Sequence, residues 1–167
     1  MLTVHATKKL AQRLGGFTKN APSADGVPLA PWYATAIFWR PQVALFVDEY
    51  TLLPALLPLA PASTLLARFP HTLAETLAAH DAPAEFIASA LDRTSDDAVC
   101  VPTESRSTLG VVNELVRHAG YALDDAGGDI DLVGLAVWLS NTPMSPLYKR
   151  RISPDRELTA LIEKSSS

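Results

Sequence analysis

Residues 103–118, "TESRSTLGVVNELVRH", hold the densest grouping of polar chemistry in the chain. Ser105, Arg106 and Ser107 stand directly before an apolar-periodic run. Two hydroxyls and a guanidinium therefore lie beside the backbone N–H groups that a helix start leaves unpaired. Such a set can hold phosphate or carboxylate. With Ser107 as the N-cap, Leu109, Val112, Leu115, Val116 and Ala119 form the buried stripe, and Asn113 falls on or beside it. A buried amide without partners costs about 1–3 kcal/mol. Gly110 costs about 1 kcal/mol relative to alanine inside a helix. Departures of this kind cluster at close contacts and functional sites. A plainer account fits the same residues, and their types favour it: Ser107 caps, Gly110 admits a neighbouring strand, Asn113 ties down a loop, and Arg106 pairs with Glu104 or Asp97.

Two further groupings stand out. Lys8 and Lys9 fall in the first turn of a short helix, where the dipole disfavours cations by some tenths of a kcal/mol each. With His5 just before them they could meet an anion or an acidic partner. Solvation, or pairing with acidic residues elsewhere, explains them as well. In "FVDEYT", Asp48 and Glu49 leave a strand together, a placement that suits acid–base work. More often such a pair ends a strand and begins a turn.

Other chemistries lack their motifs. There is no P-loop, no G-x-G-x-x-G and no G-x-S-x-G elbow. His5, His71, His80 and His118 show no metal-ligand spacing, and Cys100 has no partner cysteine, so no metal and no cofactor is expected. Cys100 in "AVCVP" reads as a small buried hydrophobe. Trp32, Trp39 and Trp138 read as packing. No enzyme class stands out.

The elements that must position these residues follow from periodicity. "LTVHAT" alternates Leu2, Val4 and Ala6 against Thr3, His5 and Thr7, the pattern of a half-buried strand. A short helix follows, with Thr7 as its cap and Gly15 at its C′ position. Residues 16–31 form a long polar loop. "WYATAIFW" and "VALFVD", joined by "RPQ", form a hairpin. The apolar segment "LLPALLPLAP", residues 52–61, is broken by Pro54, Pro58 and Pro61, which suits an edge strand or extended segment. Helices are expected over 63–80 (with a break or kink at Pro70), 83–92, 107–119 and 129–141, and a strand at "DAVCVP". Ser153 and Pro154 open a last helix. The expected fold is α+β: one domain over residues 1–160, a small antiparallel-rich β-sheet packed with five or six α-helices, and a frayed tail at 161–167.

Composition narrows the setting. Of the 167 residues, 48% are hydrophobic and 19% charged, which is globular and not disordered. No apolar run approaches the ~20 residues of a membrane span, and the first residues lack the order of a secretory signal. With one cysteine and neither of those signals, a cytoplasmic protein is expected. Charge is uneven along the chain. Residues 1–40 carry five basic residues against one acidic, residues 41–148 four against fourteen, and residues 149–167 five against three. Basic ends on an acidic middle either neutralise one another within the fold or form one basic face.

Four segments in order, "HATKKL", "FVDEYTLLPALLPLAP", "RSTLGVVNEL" and "LSNTPMSPL", resemble a bacterial family, domain of unknown function 6933. The resemblance spans roughly residues 2–157. Its relatives can stand beside or be fused to plasmid-type open reading frames. In the family pattern other residues can replace Ala6 and Asn can replace Asp48, which counts against a chemical role at those positions. The resemblance implies a domain boundary and no activity. Three readings follow. The first is a non-catalytic interaction domain, as a homodimer or with a protein partner, through an exposed 52–61 segment. The second is an anion- or nucleotide-binding protein centred on Ser105, Arg106, Ser107 and Asn113, with Lys8, Lys9 and His5 nearby. The third is weak nucleic-acid association, which predicts binding that falls steeply with salt.

Overall fold

The computed structural model describes residues 2–18, 31–94, 97–127 and 129–166. Most of the expected polar loop, residues 19–30, lies outside them. The described residues form β1 (Leu2–Ala6), α1 (Lys8–Arg13), β2 (Trp32–Ile37), β3 (Val43–Asp48), β4 (Pro54–Pro58), α2 (Leu65–Ala79), α3 (Ala84–Thr94), β5 (Ala98–Pro102), α4 (Arg106–Asp125), α5 (Leu132–Ser140) and α6 (Pro154–Ser165). The chain is an α+β protein with one five-stranded sheet, ordered β4-β3-β2-β1-β5. β2 and β3 form the expected hairpin, Ile37 opposite Val43, and β4 extends it antiparallel. β1 instead lies parallel to both β2 and β5, so the sheet is mixed.

Helices cover both faces. Leu10 and Ala11 of α1, four side chains of α2 (Leu65, Phe69, Leu73, Leu77) and Leu158 of α6 pack with Leu2, Val4, Trp32 and Phe46. On the opposite face α4 and α5 pack on Tyr33, Ile37, Leu45 and Leu56. Phe69 anchors the first face, stacked on Phe46 at 4.2 Å and edge-on to Trp32 at 5.0 Å. α2 passes Pro70 without the expected break. A proline there costs one helical hydrogen bond, and the buried row of α2 continues on both sides of it. α6 runs to Ser165, and Leu161 and Ile162 pack against the first core, so the segment expected to fray continues the helix.

The edge strand β4 is not exposed. Leu52, Leu53, Ala55, Leu56, Leu57 and Leu59 are buried. α5 and α2 pack closely on the strand, which removes the hazard of an open sheet edge. Arg68 of α2 closes its far end, donating to the carbonyls of Pro58 (2.8 Å), Leu59 (3.0 Å) and Pro61 (3.1 Å).

What positions the site is the placement of two connections. β1 and β5 are parallel neighbours, and their C-terminal ends share one rim of the sheet. From that rim α1 leaves toward the first core and α4 toward the second. Parallel strands whose following helices depart to opposite faces leave a crevice between their ends, where α/β proteins bind ligands.

Candidate functional site

β1 is buried on both sides, against the half-buried reading. Its interior position in the sheet, between β2 and β5, removes the solvent that the alternation suggested. Its second face is nevertheless polar, with Thr3 only 4% and His5 8% exposed. Buried parallel strands usually read as near-continuous hydrophobic runs. A buried polar face therefore calls for partners, and His5 has them. Its Nδ1 lies 2.9 Å from the carbonyl oxygen of Pro102 at the end of β5. A carbonyl only accepts, so Nδ1 carries the hydrogen and Nε2 of the neutral ring is left as an acceptor. No group among the described residues bonds Nε2, and it is not shut away from solvent.

The His5 ring stacks on Tyr33 of β2 with centroids 4.7 Å apart. The Tyr33 hydroxyl oxygen accepts the Ser105 N–H at 2.9 Å, which pins the start of α4 over the two rings. Burial pushes the Tyr33 phenol above its usual range, while the N–H groups of Ser105 and Glu104 pull the other way. The phenol thus stays protonated at neutral pH, with its own O–H to donate. Beyond it along the rim, Thr7 and Thr35 share a hydroxyl contact of 2.9 Å. Thr7 does hold the N-cap position of α1, but its side chain makes no cap bond, because it is turned to Thr35.

Ser105, not Ser107, caps α4: its Oγ accepts the Thr108 N–H at 3.1 Å. The cap moves two residues because Tyr33 fixes the Ser105 backbone. The buried stripe becomes Thr108, Val111, Val112, Leu115 and Ala119. Asn113 is thereby exposed, and at eight residues from Ser105 it stands about 12 Å along the helix. Nothing lies within 4 Å of a Cβ built on Gly110, so that glycine admits no neighbouring strand. Arg106 and Ser107 occupy the first turn, where their N–H groups have no intrahelical acceptor. Their side chains are exposed, and Arg106 makes no ion pair with Glu104 or Asp97. Lys8 and Lys9 are exposed on α1, and the Lys9 ammonium lies 5.6 Å from the Phe38 ring centroid. The structure thus brings His5 to Ser105, Arg106 and Ser107 through Tyr33, and sets Asn113 apart from them. Ser105→Ala should cost about 1 kcal/mol in urea denaturation, and Ser107→Ala less than about 0.5 kcal/mol. Equal costs would return the cap to Ser107.

The model of one family, described as domain of unknown function (DUF6933), matches residues 3–157. The chain belongs to that family. No curated protein and no solved structure matches it. Of the four segments that carry the resemblance, "HATKKL" makes the β1–α1 corner and "RSTLGVVNEL" begins α4. Both border the crevice. Thr3, Tyr33 and Thr35 were not singled out in the sequence. Their signal was the polar alternation of β1, which reads as a solvent face until β1 is known to be interior.

The other candidates of this DUF6933 chain are structural. Asp48 is fully buried, out of reach of any substrate. Its Oδ2 accepts the Thr51 N–H (2.7 Å) and hydroxyl (2.8 Å), closing the β3–β4 turn, while Oδ1 has no partner. Glu49 is exposed. Burial pushes the Cys100 thiol up, which suits a packing role. Trp32 is buried, Trp39 half-buried and Trp138 exposed, so the three form no common stacking platform. Among the described residues no cluster of His, Cys, Asp or Glu could hold a metal ion, and no helix is long and apolar enough to cross a membrane.

Proposed function

We propose that this protein binds a small anionic ligand, a phosphate or carboxylate group, at the corner between β5 and α4. The buried polar face of β1 beneath the first turn of α4 carries this reading. A sheet interior keeps polar groups where they have work to do, because burying them unpaired costs about 1–3 kcal/mol each. Above His5 and Tyr33, the unpaired N–H groups of Arg106 and Ser107 and the free Arg106 guanidinium supply positive potential at a helix N-terminus. The setting is a crevice at the C-terminal rim of parallel strands. Nothing in the geometry assigns a reaction.

Isothermal titration calorimetry with inorganic phosphate and with inorganic sulfate tests the reading. The wild type should bind at least one of them, and Arg106→Ala should weaken that binding roughly 10-fold or more. Because Arg106 is exposed and unpartnered, its melting temperature should stay within about 2 °C. Absence of binding to either anion, or unchanged binding in Arg106→Ala, would sink the proposal.

A second reading, an interaction domain, is favoured by Tyr121 on α4 and Trp138 on α5, 60% and 53% exposed on helices of the same face. The 52–61 segment that first suggested this reading is buried and offers no surface. A strict monomer in sedimentation at high concentration would count against a homodimer.

A further inference from the structure

We infer that His5 selects an anion that keeps a proton of its own, such as hydrogen phosphate, over an aprotic anion such as sulfate. This deepens the anion-binding reading and rests on it. The argument begins with the tautomer. The Pro102 carbonyl holds Nδ1–H at 2.9 Å, and the flat contact with Tyr33 at 18° between planes fixes the ring. The imidazole is 92% buried on the 8% exposure of His5, yet its Nε2 has no protein partner and is not sealed from solvent. A lone pair held in that way repels an aprotic oxygen and accepts an O–H.

Tyr33 links the ring to the other half of the site. Its oxygen is spent on the Ser105 N–H, so the imidazole edge and the first turn of α4 flank one strand-to-helix corner, residues 102–107. The N–H groups of Arg106 and Ser107 and the Arg106 guanidinium are donors there. His5 Nε2 is an acceptor. Glu104, at the same corner, adds a negative charge that disfavours a fully deprotonated ligand. Donors on one side and a fixed acceptor on the other match hydrogen phosphate, which offers three oxygens and one O–H. Sulfate offers oxygens only.

The test compares inorganic phosphate with inorganic sulfate by calorimetry at mildly alkaline pH and constant ionic strength. Wild-type protein should bind phosphate roughly 10–100-fold tighter than sulfate. His5→Asn keeps a donor for the Pro102 carbonyl but lacks Nε2, so it should bind the two anions with similar affinity. As a readout that needs no variant, the His5 Nε2 nitrogen resonance of the wild type should move with phosphate and stay with sulfate. Equal binding of both anions by the wild type would overturn the role of His5 and leave the anion site standing. Phosphate preference that survives in folded His5→Asn, or an unmoved Nε2 resonance on phosphate binding, would overturn it too. Failure of both anions to bind would remove the anion-binding reading, and this inference with it.

Discussion

Replacing Arg150 with alanine should lower the unfolding free energy by about 3 kcal/mol, a loss of roughly 6–12 °C in melting temperature for a chain of this size. The cause is Glu157 of α6, whose side chain is only 2% exposed. Its Oε2 meets the Arg150 guanidinium at 2.7 Å and its Oε1 accepts the Arg151 N–H at 3.1 Å. Without Arg150, a buried carboxylate keeps one backbone donor. Breaking such a pair typically costs 3–5 kcal/mol, and the 32% exposure of Arg150 argues for the lower end. The same guanidinium donates to the Tyr50 carbonyl at 2.9 Å and lies 4.1 Å from the Tyr50 ring centroid. It is a strut between the β3–β4 turn and the start of α6. The strut also holds the 144–152 loop, where Ile152 sits at φ 77, a costly conformation for a β-branched residue. Urea denaturation of Arg150→Ala, Glu157→Leu and the Arg150→Met/Glu157→Leu pair checks this. The double variant should recover most of the loss, because two apolar groups leave no orphaned charge. A loss below about 1 kcal/mol for Arg150→Ala would show that the strut bears little.

The second large effect concerns Asp48. Burial raises its carboxyl from 3.8 to about 6, against the opposing pull of the Thr51 N–H and hydroxyl and the Tyr50 N–H, and with a small addition from Glu49. The folded state therefore holds this proton more tightly than the unfolded chain does. The stabilisation is full below the unfolded value and is lost as pH rises through about 6, so the folded protein should lose about 2–3 kcal/mol from this group between acid and mildly alkaline pH. Asp48→Asn keeps an acceptor for Thr51 and cannot ionise. It should remove that component of the pH dependence. It should also match or exceed wild-type stability at mildly alkaline pH by about 1 kcal/mol, since the new amide must lie where Oδ1 has no partner. Denaturation curves for both proteins at several pH values decide it. Parallel pH profiles would mean that Asp48 titrates as an ordinary carboxyl.

Much of the secondary structure was legible because its signals are local. The β2–β3 hairpin followed from β-branched and aromatic runs around a short turn, and α6 from Ser153 and Pro154. Gly15 at φ 88 ends α1 where a left-handed residue was expected. The cap of α4 was misplaced because Ser105 and Ser107 are equally good caps in isolation. Only the Tyr33 hydroxyl, 72 residues away in sequence, distinguishes them. That two-residue shift turned Asn113 from the buried stripe to solvent.

By itself, then, the sequence determined the α+β class, the hairpin, most of the helices, the absence of familiar catalytic motifs and the polar cluster at residues 105–107. Periodicity and capping depend on neighbours within a few residues, so those features survive without a partner. The tertiary structure alone decided that β1 is interior and parallel, that the 52–61 segment is covered, and that His5 and Tyr33 lie under α4. Strand order and burial are set by pairings between residues distant along the chain. For that reason the alternation of Thr3, His5 and Thr7 could announce a polar face, but only packing could place that face inside the protein.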